Sequence, residues 1–266
     1  MGPKVVMGRD GWMYFRRDGT IDTVEDRLGL IKLSPQLMKV WQERIQKRSD
    51  ELSARGIKYL YVIVPNKESI YPEHLPEWLK PGAPTKTDQM VAYLRAHSTV
   101  PILDLRPILQ SARQSDPLYY KTDSHWNLMG AFMAAETIIT NLSGQMPDLT
   151  ALSVADFDIQ RVPGPGGDLA RIAGSPEWLD DNRYVFTPKP YLPRLEFSSP
   201  ETNHLDWARI GTLPVAPERV MTTINSQRPL KVNIYGDSFS VACNHFWRFT
   251  LGRSLWSSMD SAKCPI

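Results

Sequence analysis

A serine alcohol is a useful nucleophile at neutral pH only when a base lies beside it, so the residues of interest are a serine on a turn and a histidine able to serve it. Gly236-Asp237-Ser238 follows directly on the apolar run Leu230-Lys231-Val232-Asn233-Ile234-Tyr235. That pattern places the Ser238 hydroxyl on a tight strand-to-helix turn, where Gly236 permits the bend and the first N–H groups of the helix can face a developing oxyanion. Taken alone, the same turn could carry Ser238 as a plain helix cap. The chain has 5 histidines. His74 lies in a Pro-rich loop, His97 ends a helical stretch, His204 falls in an irregular region and His245 follows Ser238. His125 differs: it sits in the polar stretch Thr122-Asp123-Ser124-His125-Trp126-Asn127, with Asp123 two residues upstream. In extended backbone, residues i and i+2 face one side, so the Asp123 carboxylate can bond one ring nitrogen and leave the other for Ser238. The carboxylate then fixes the tautomer and stabilises the imidazolium formed on proton abstraction. The chemistry that follows is acyl transfer through an acyl-serine.

The order Asp123, His125, Ser238, with Ser240 two residues after the nucleophile, excludes the nucleophile elbow of the α/β-hydrolases, where serine comes first and glycine follows it by two. A metal site from Asp123, His125 and His245 has no support in spacing, because neither a helical His-x-x-x-His nor a Cys-rich pair is present; neither metal nor cofactor is expected. Lys67 leaves an apolar run at the edge where ligands bind and could face an anionic sugar or simply the solvent. Tyr71 and Tyr120 are candidates for substrate contact or for packing near the cleft. Asn127 is a candidate oxyanion donor or a helix N-cap.

These residues need a frame. Ser34-Pro35 opens a helix with Leu37, Trp41, Ile45, Arg48 and Leu52 at helical spacing and Gly56 as the stop. Ile57 to Val64 is a near-continuous apolar and β-branched run ended by Pro65, of the kind buried on both faces of a parallel sheet. A helical stretch over Thr87 to His97 leads into the strand-like Val100 to Leu105, and Leu128 to Leu142 reads as a third amphipathic helix. The alternation predicts a three-layer α/β domain with a mainly parallel sheet and a site at the carboxyl ends of its strands. From residue 147 to 229 the chain is rich in Pro and Gly, with short strand-like pieces at Asp156 to Val162 and Arg183 to Thr187. This reads as an irregular, β-rich insertion in one domain spanning residues 1–266.

With 31 basic and 29 acidic side chains the formal charge is +2, too small and dispersed to announce a nucleic-acid partner. No apolar run approaches the roughly eighteen residues of a membrane span, and the first ten residues lack a signal-peptide core, so a soluble chain is expected. Cys243 and Cys264 are too few for a disulfide framework and are read as free or as one local bridge.

Gly236-Asp237-Ser238-Phe239-Ser240 and Thr122-Asp123-Ser124-His125-Trp126-Asn127 together resemble the SGNH-hydrolase-like domain of the alginate O-acetyltransferases AlgJ and AlgX. The block order matches, since ordinary SGNH esterases carry Gly-Asp-Ser near the N-terminus and this group has the blocks reversed. Gly8-Arg9-Asp10-Gly11-Trp12, Val64-Pro65-Asn66-Lys67, Tyr71-Pro72 and Gly167-Asp168-Leu169-Ala170 extend the resemblance from about Gly8 to Ser240. It implies a periplasmic enzyme, free or tethered to the inner membrane by a segment outside this chain. Such an enzyme takes an acetyl group onto Ser238 from a membrane-bound O-acyltransferase and passes it to an exopolysaccharide hydroxyl. A carbohydrate esterase using water, or a silent scaffold protein of an export complex, remain alternatives. The family continues with more strand and helix after the serine helix. Here the tail from Cys243 shows no clear buried strand, and a truncated or frame-disrupted C-terminus lacking a sheet-edge strand is expected.

Overall fold

The computed structural model describes residues 4–17, 22–79, 82, 84–174, 181–192, 196–197, 221–224, 231–250 and 253–258. The chain begins with an antiparallel pair, β1 (Val5–Met7) and β2 (Met13–Phe15), whose connecting turn places Asp10 and Gly11 at positive φ. A short helix α1 (Thr23–Arg27) is capped by the Asp22 carboxylate. Helix α2 (Pro35–Ser53) starts where the sequence predicts: the Ser34 hydroxyl accepts the Leu37 N–H at 3.1 Å and Pro35 occupies the first helical position. Gly56, at φ 71°, ends it. Strand β3 (Tyr61–Ile63) and the one-turn helix α3 (Lys67–Ile70) follow. Helix α4 (Lys86–His97) is opened by a reciprocal Thr85–Asp88 capping box. Then come β4 (Ile102–Asp104), α5 (Arg106–Ala112) and α6 (Leu128–Ser143).

The region read as an irregular insertion carries a well-formed ribbon. Strand β5 (Phe157–Gly164), helix α7 (Asp168–Ile172) and strand β6 (Asp181–Pro188) make an antiparallel pair along eight residues of each strand. Beyond it lie β7 (Glu196–Phe197), β8 (Met221–Ile224), β9 (Lys231–Gly236), α8 (Ser238–Thr250) and β10 (Arg253–Ser258).

The α/β alternation is present, with its parallel pairing in small sheets: β3 with β4, and β9 with β10. The second pair belongs to a sheet of order β7-β8-β10-β9, whose other pairings are antiparallel. Two expectations change. The apolar run Ile57 to Val64 yields a paired strand of only three residues, partly buried, because β4 is its one partner among the described residues and Ile57 is 48% exposed. The tail predicted to hold no strand supplies β10, which lies between β8 and β9.

The core sits where the ribbon meets the helices. Phe132 of α6, Phe157 of β5, Phe186 of β6 and Phe246 of α8 pack with ring centroids 5.0–5.9 Å apart, mostly edge to face. Such pairs add roughly 0.5–1.5 kcal/mol each beyond the area they bury. Cys243, on α8, is buried and free, and Cys264 lies outside the described residues. Helix α6 can approach the preceding loop only because residue 130 is glycine, since a Cβ there would collide with the Leu118 carbonyl. Gly130→Ala is therefore expected to destabilise the fold by about 2 kcal/mol, a fall of roughly 6 °C in the thermal midpoint, measurable by calorimetry.

Candidate active site

The stretch from Leu118 to Asn127 folds back on itself. Asn127 N–H donates to the Leu118 carbonyl at 2.9 Å, and Tyr119 and Trp126 form an isolated antiparallel bridge. The loop is tied to the strand exits on both sides. The Tyr119 hydroxyl donates to the Pro65 carbonyl at 2.5 Å, just beyond β3, and the Trp126 indole donates to the Phe239 carbonyl at 3.1 Å, just beyond β9. The loop carrying His125 and the turn carrying Ser238 thus meet at the carboxyl ends of two strands, where α/β sheets place their sites.

Ser238 is the first residue of α8. His125 Nε2 lies 2.7 Å from its Oγ, and His125 Nδ1 lies 2.8 Å from Asp123 Oδ1. The same Asp123 oxygen accepts the His125 backbone N–H at 2.9 Å. The carboxylate therefore reaches the imidazole through a turn closed by its own side chain, where extended backbone had been expected. Phe239 packs against the His125 ring at 4.9 Å. Burial works against charge on both partners, but their mutual hydrogen bond and attraction prevail: the Asp123 carboxyl is pulled below the usual carboxylate range and the His125 imidazolium is held above 6.5. Asp168 and Asp237 add to the rise at His125. An arrangement of this kind can accept the Ser238 proton at Nε2 while Nδ1–H stays bonded to a carboxylate.

Three buried groups hold the loop. The Lys67 ammonium, 2% exposed, donates to the carbonyls of Tyr120, Lys121 and Asp123 at 2.9, 2.9 and 2.7 Å. It lies 5.6 and 5.4 Å from the ring centres of Trp12 and Tyr14. Burial lowers its pKa to about 8, against the pull of Asp123, Asp181, Asp168 and Glu68. The buried Asp181 carboxylate accepts the N–H groups of Lys121 and Thr122 at 3.0 and 2.7 Å and the Thr122 hydroxyl at 2.7 Å. The start of α7 supplies the third clamp: the Leu169 and Ala170 N–H groups reach the Thr122 carbonyl, and the Asp168 N–H donates to Asp123 Oδ2 at 2.9 Å. Gly167 packs so closely on Asp123 that any side chain there would strike its Cβ and Oδ2.

The remaining sequence candidates fall elsewhere. Lys67 does not face a sugar: its three N–H bonds are all made to the loop, and it is sealed from solvent. Tyr71 is a core residue whose oxygen accepts the Leu118 N–H at 2.9 Å, so it packs rather than touching substrate. Asn127 caps α6 by accepting the Gly130 N–H and donating to the Pro117 carbonyl, and so is no oxyanion donor. Tyr120 is a partly buried member of the loop itself, with its phenol pushed up to about 12 by burial. His74 stacks on Trp12 and bonds Asp10, His97 packs on Tyr93, and His245 lies buried against Phe246. His204 lies outside the described residues. Nothing local in the sequence marks a role for Asp168 or Asp181, although Asp168 belongs to the Gly167-to-Ala170 motif. Asp123, His125 and Asp168 also present possible ligand atoms within 4.8 Å of one another, but a cation there would have to break the Asp123–His125 bond.

Residues 5–251 match the family model described as SGNH hydrolase-like domain, acetyltransferase AlgX. The chain belongs to this family. A relative from Pseudomonas syringae pv. tomato named "Probable alginate O-acetylase AlgJ" is 30% identical over 152 residues, which is 54% of this chain and 35% of that protein. The Pseudomonas aeruginosa protein of the same name is 27% identical over 157 residues, again 35% of its length. The matched stretch thus spans about a third of the curated relatives. Among solved structures, Bacillus cereus PatB1 with a sulfonyl adduct superposes with a TM-score of 0.67 at 16% identity, covering 97% of this chain and 87% of that one. The O-acetyltransferase domain of Pseudomonas putida AlgJ gives 0.57 at 20% identity, covering 97% and 81%. At these identities the likeness shows the fold, the SGNH-like arrangement of mixed helices, strands and small sheets.

Within this AlgX-type domain the His125 proton balance depends on Asp123 staying where Gly167 lets it lie. Gly167→Ala is expected to displace the carboxylate and lower the His125 pKa by about one pH unit, read by NMR titration of the imidazole. An unchanged titration in a folded variant would contradict that dependence.

Proposed function

We propose that the domain is a serine-dependent O-acetyltransferase acting on an exopolysaccharide such as alginate. In the first step Ser238 Oγ attacks the acetyl carbonyl carbon as its proton passes to His125 Nε2. The intermediate collapses to an acetyl-serine, and the donor's leaving group departs with that proton. In the second step a sugar hydroxyl gives its proton to His125 and attacks the acyl carbon, and Ser238 leaves and regains the proton. Asp123 stays ionised throughout and faces the imidazolium. In the first turn of α8, Asp237 already occupies the N–H groups of Phe239 and Ser240 at 3.0 and 3.1 Å, so the oxyanion role falls to the Ser238 N–H.

The observation that carries this reading is the continuous chain of contacts from the Ser238 hydroxyl through His125 to Asp123, at 2.7 and 2.8 Å, in a domain of an acetyltransferase family. The polysaccharide acceptor is supported by relatives named as alginate O-acetylases. From the resemblance of its motifs to this family, we infer that the domain works in the periplasm, with a membrane-bound O-acyltransferase supplying the acetyl group. Among the described residues no helix is long and apolar enough to cross a membrane.

Incubating the protein with a small acetyl ester, with and without mannuronate oligosaccharide, tests the reading by mass spectrometry. Acetylated sugar is expected, and Ser238→Ala is expected to lose activity on the order of 10⁴-fold. Acetate alone, at the same rate with or without sugar, would favour an esterase. No reaction of folded protein with a serine-directed fluorophosphonate would favour a non-catalytic scaffold.

A further inference from the structure

The imidazole of His125 faces more than one carboxylate. Besides Asp123, the Asp168 Oδ2 lies 3.8 Å from Nδ1, and Asp168 is only partly exposed. Its carboxylate is held on both oxygens by the residue between the other two members of the loop: Oδ1 accepts the Ser124 N–H at 2.7 Å, and Oδ2 accepts the Ser124 hydroxyl at 2.5 Å. The Ser124 oxygen in turn lies 3.2 Å from His125 Nδ1. Through its own N–H, Asp168 donates to Asp123 Oδ2 at 2.9 Å, the oxygen that does not touch the imidazole. One residue therefore aligns the carboxylate partner, fixes the intervening serine and adds a second negative charge on the Nδ1 side.

We infer that Asp168 is a positioning residue for proton transfer from Ser238, acting through Asp123 and on the charge of His125. The inference rests on the acyl-serine reading above. When His125 takes the serine proton, the new positive charge faces two carboxylates on its Nδ1 side, and the more distant one is Asp168. Holding Oδ2 of Asp123 by a backbone N–H leaves Oδ1 free to serve only His125. This confines the carboxylate to the orientation that bonds Nδ1 and leaves Nε2 aimed at Ser238. The other charged groups facing this cluster are Asp237, beside Ser238, and the Lys67 ammonium, which bonds the Asp123 carbonyl. Both remain in every variant below, so they cancel in the comparison.

Two substitutions separate charge from structure. Asp168→Asn keeps an oxygen for the Ser124 N–H and the backbone N–H for Asp123 but removes the charge. Asp168→Ala removes the side-chain contacts as well. Removing a negative charge beside a histidine lowers its pKa, so in Asp168→Asn the His125 imidazole, followed by NMR in resting protein, should titrate about one pH unit lower than in wild type. The acid limb of the Ser238 acylation rate with a fluorophosphonate should move down by the same amount, and the plateau rate should fall about tenfold. Asp168→Ala should show the same titration shift with a larger loss of rate. If Asp168→Asn titrates and reacts like wild type while Asp168→Ala is impaired, Asp168 is only a structural link and the inference fails. If both variants match wild type, it fails outright. The NMR readout needs no acetyl transfer. A normal shift without any labelling of Ser238 would therefore overturn the acyl-serine reading on which the inference rests, while an absent shift with normal labelling would overturn the role of Asp168 alone.

Discussion

A single buried ammonium sets the shape of the site. Lys67 gives all three of its N–H bonds to carbonyls of the loop that carries Asp123 and His125. Burying a cation costs several kcal/mol, while hydrogen bonds from a charged group return roughly 1.5–3 kcal/mol each. The two nearly cancel, so the value of the arrangement lies in geometry. Three carbonyls that would otherwise point in different directions converge on one nitrogen, and the backbone from Tyr120 to Asp123 has one shape. The neighbouring carboxylates Asp123, Asp181, Asp168 and Glu68 make that charge tolerable. Trp12 and Tyr14 form its apolar wall.

The region between α6 and β7 completes this support. Gly167, Asp168 and Asp181 come from one stretch and hold the loop together: Asp181 binds its N–H groups, α7 binds the Thr122 carbonyl, and Gly167 allows the close approach to Asp123. The stretch is fixed in its turn by Phe157 and Phe186, packed against Phe132 and Phe246. Since Phe246 lies on the helix that begins with Ser238, the same aromatic cluster links the support of the histidine loop to the helix that carries Ser238. Packing and hydrogen bonding are thus consecutive links of one structure.

The grouping of Asp123, His125 and Ser238 was more legible in the sequence than its support. Ser238 stands on a strand exit and Asp123 two residues before His125, which are local patterns, and the structure brings the three together. The route was different, because Asp123 closes a turn on the His125 N–H where extended spacing had been assumed. Helices with explicit caps, such as those after Ser34 and Asn127, were readable because their signals lie within four residues. Lys67 was misread because nothing local shows that its three acceptors lie more than fifty residues downstream. Asp168 and Asp181 escaped for the same reason, each bonding residues far back in the chain. Periodicity overstated β3, since an apolar run does not say which of its residues find a partner. It missed β10 because Arg253-Ser254-Leu255-Trp256-Ser257-Ser258 has only two apolar residues, and its place is set by pairing to β8 and β9.

The dependence of the site on the buried ammonium can be measured directly through the His125 Nδ1 proton, whose NMR signal should lie far downfield and resist exchange while the bond to Asp123 is intact. In Lys67→Met, with the fold checked by circular dichroism, the three carbonyls lose their common donor, and this signal is predicted to broaden or vanish. A folded variant that keeps the signal at its wild-type position, with the same exchange protection, would show that the loop holds its shape without Lys67.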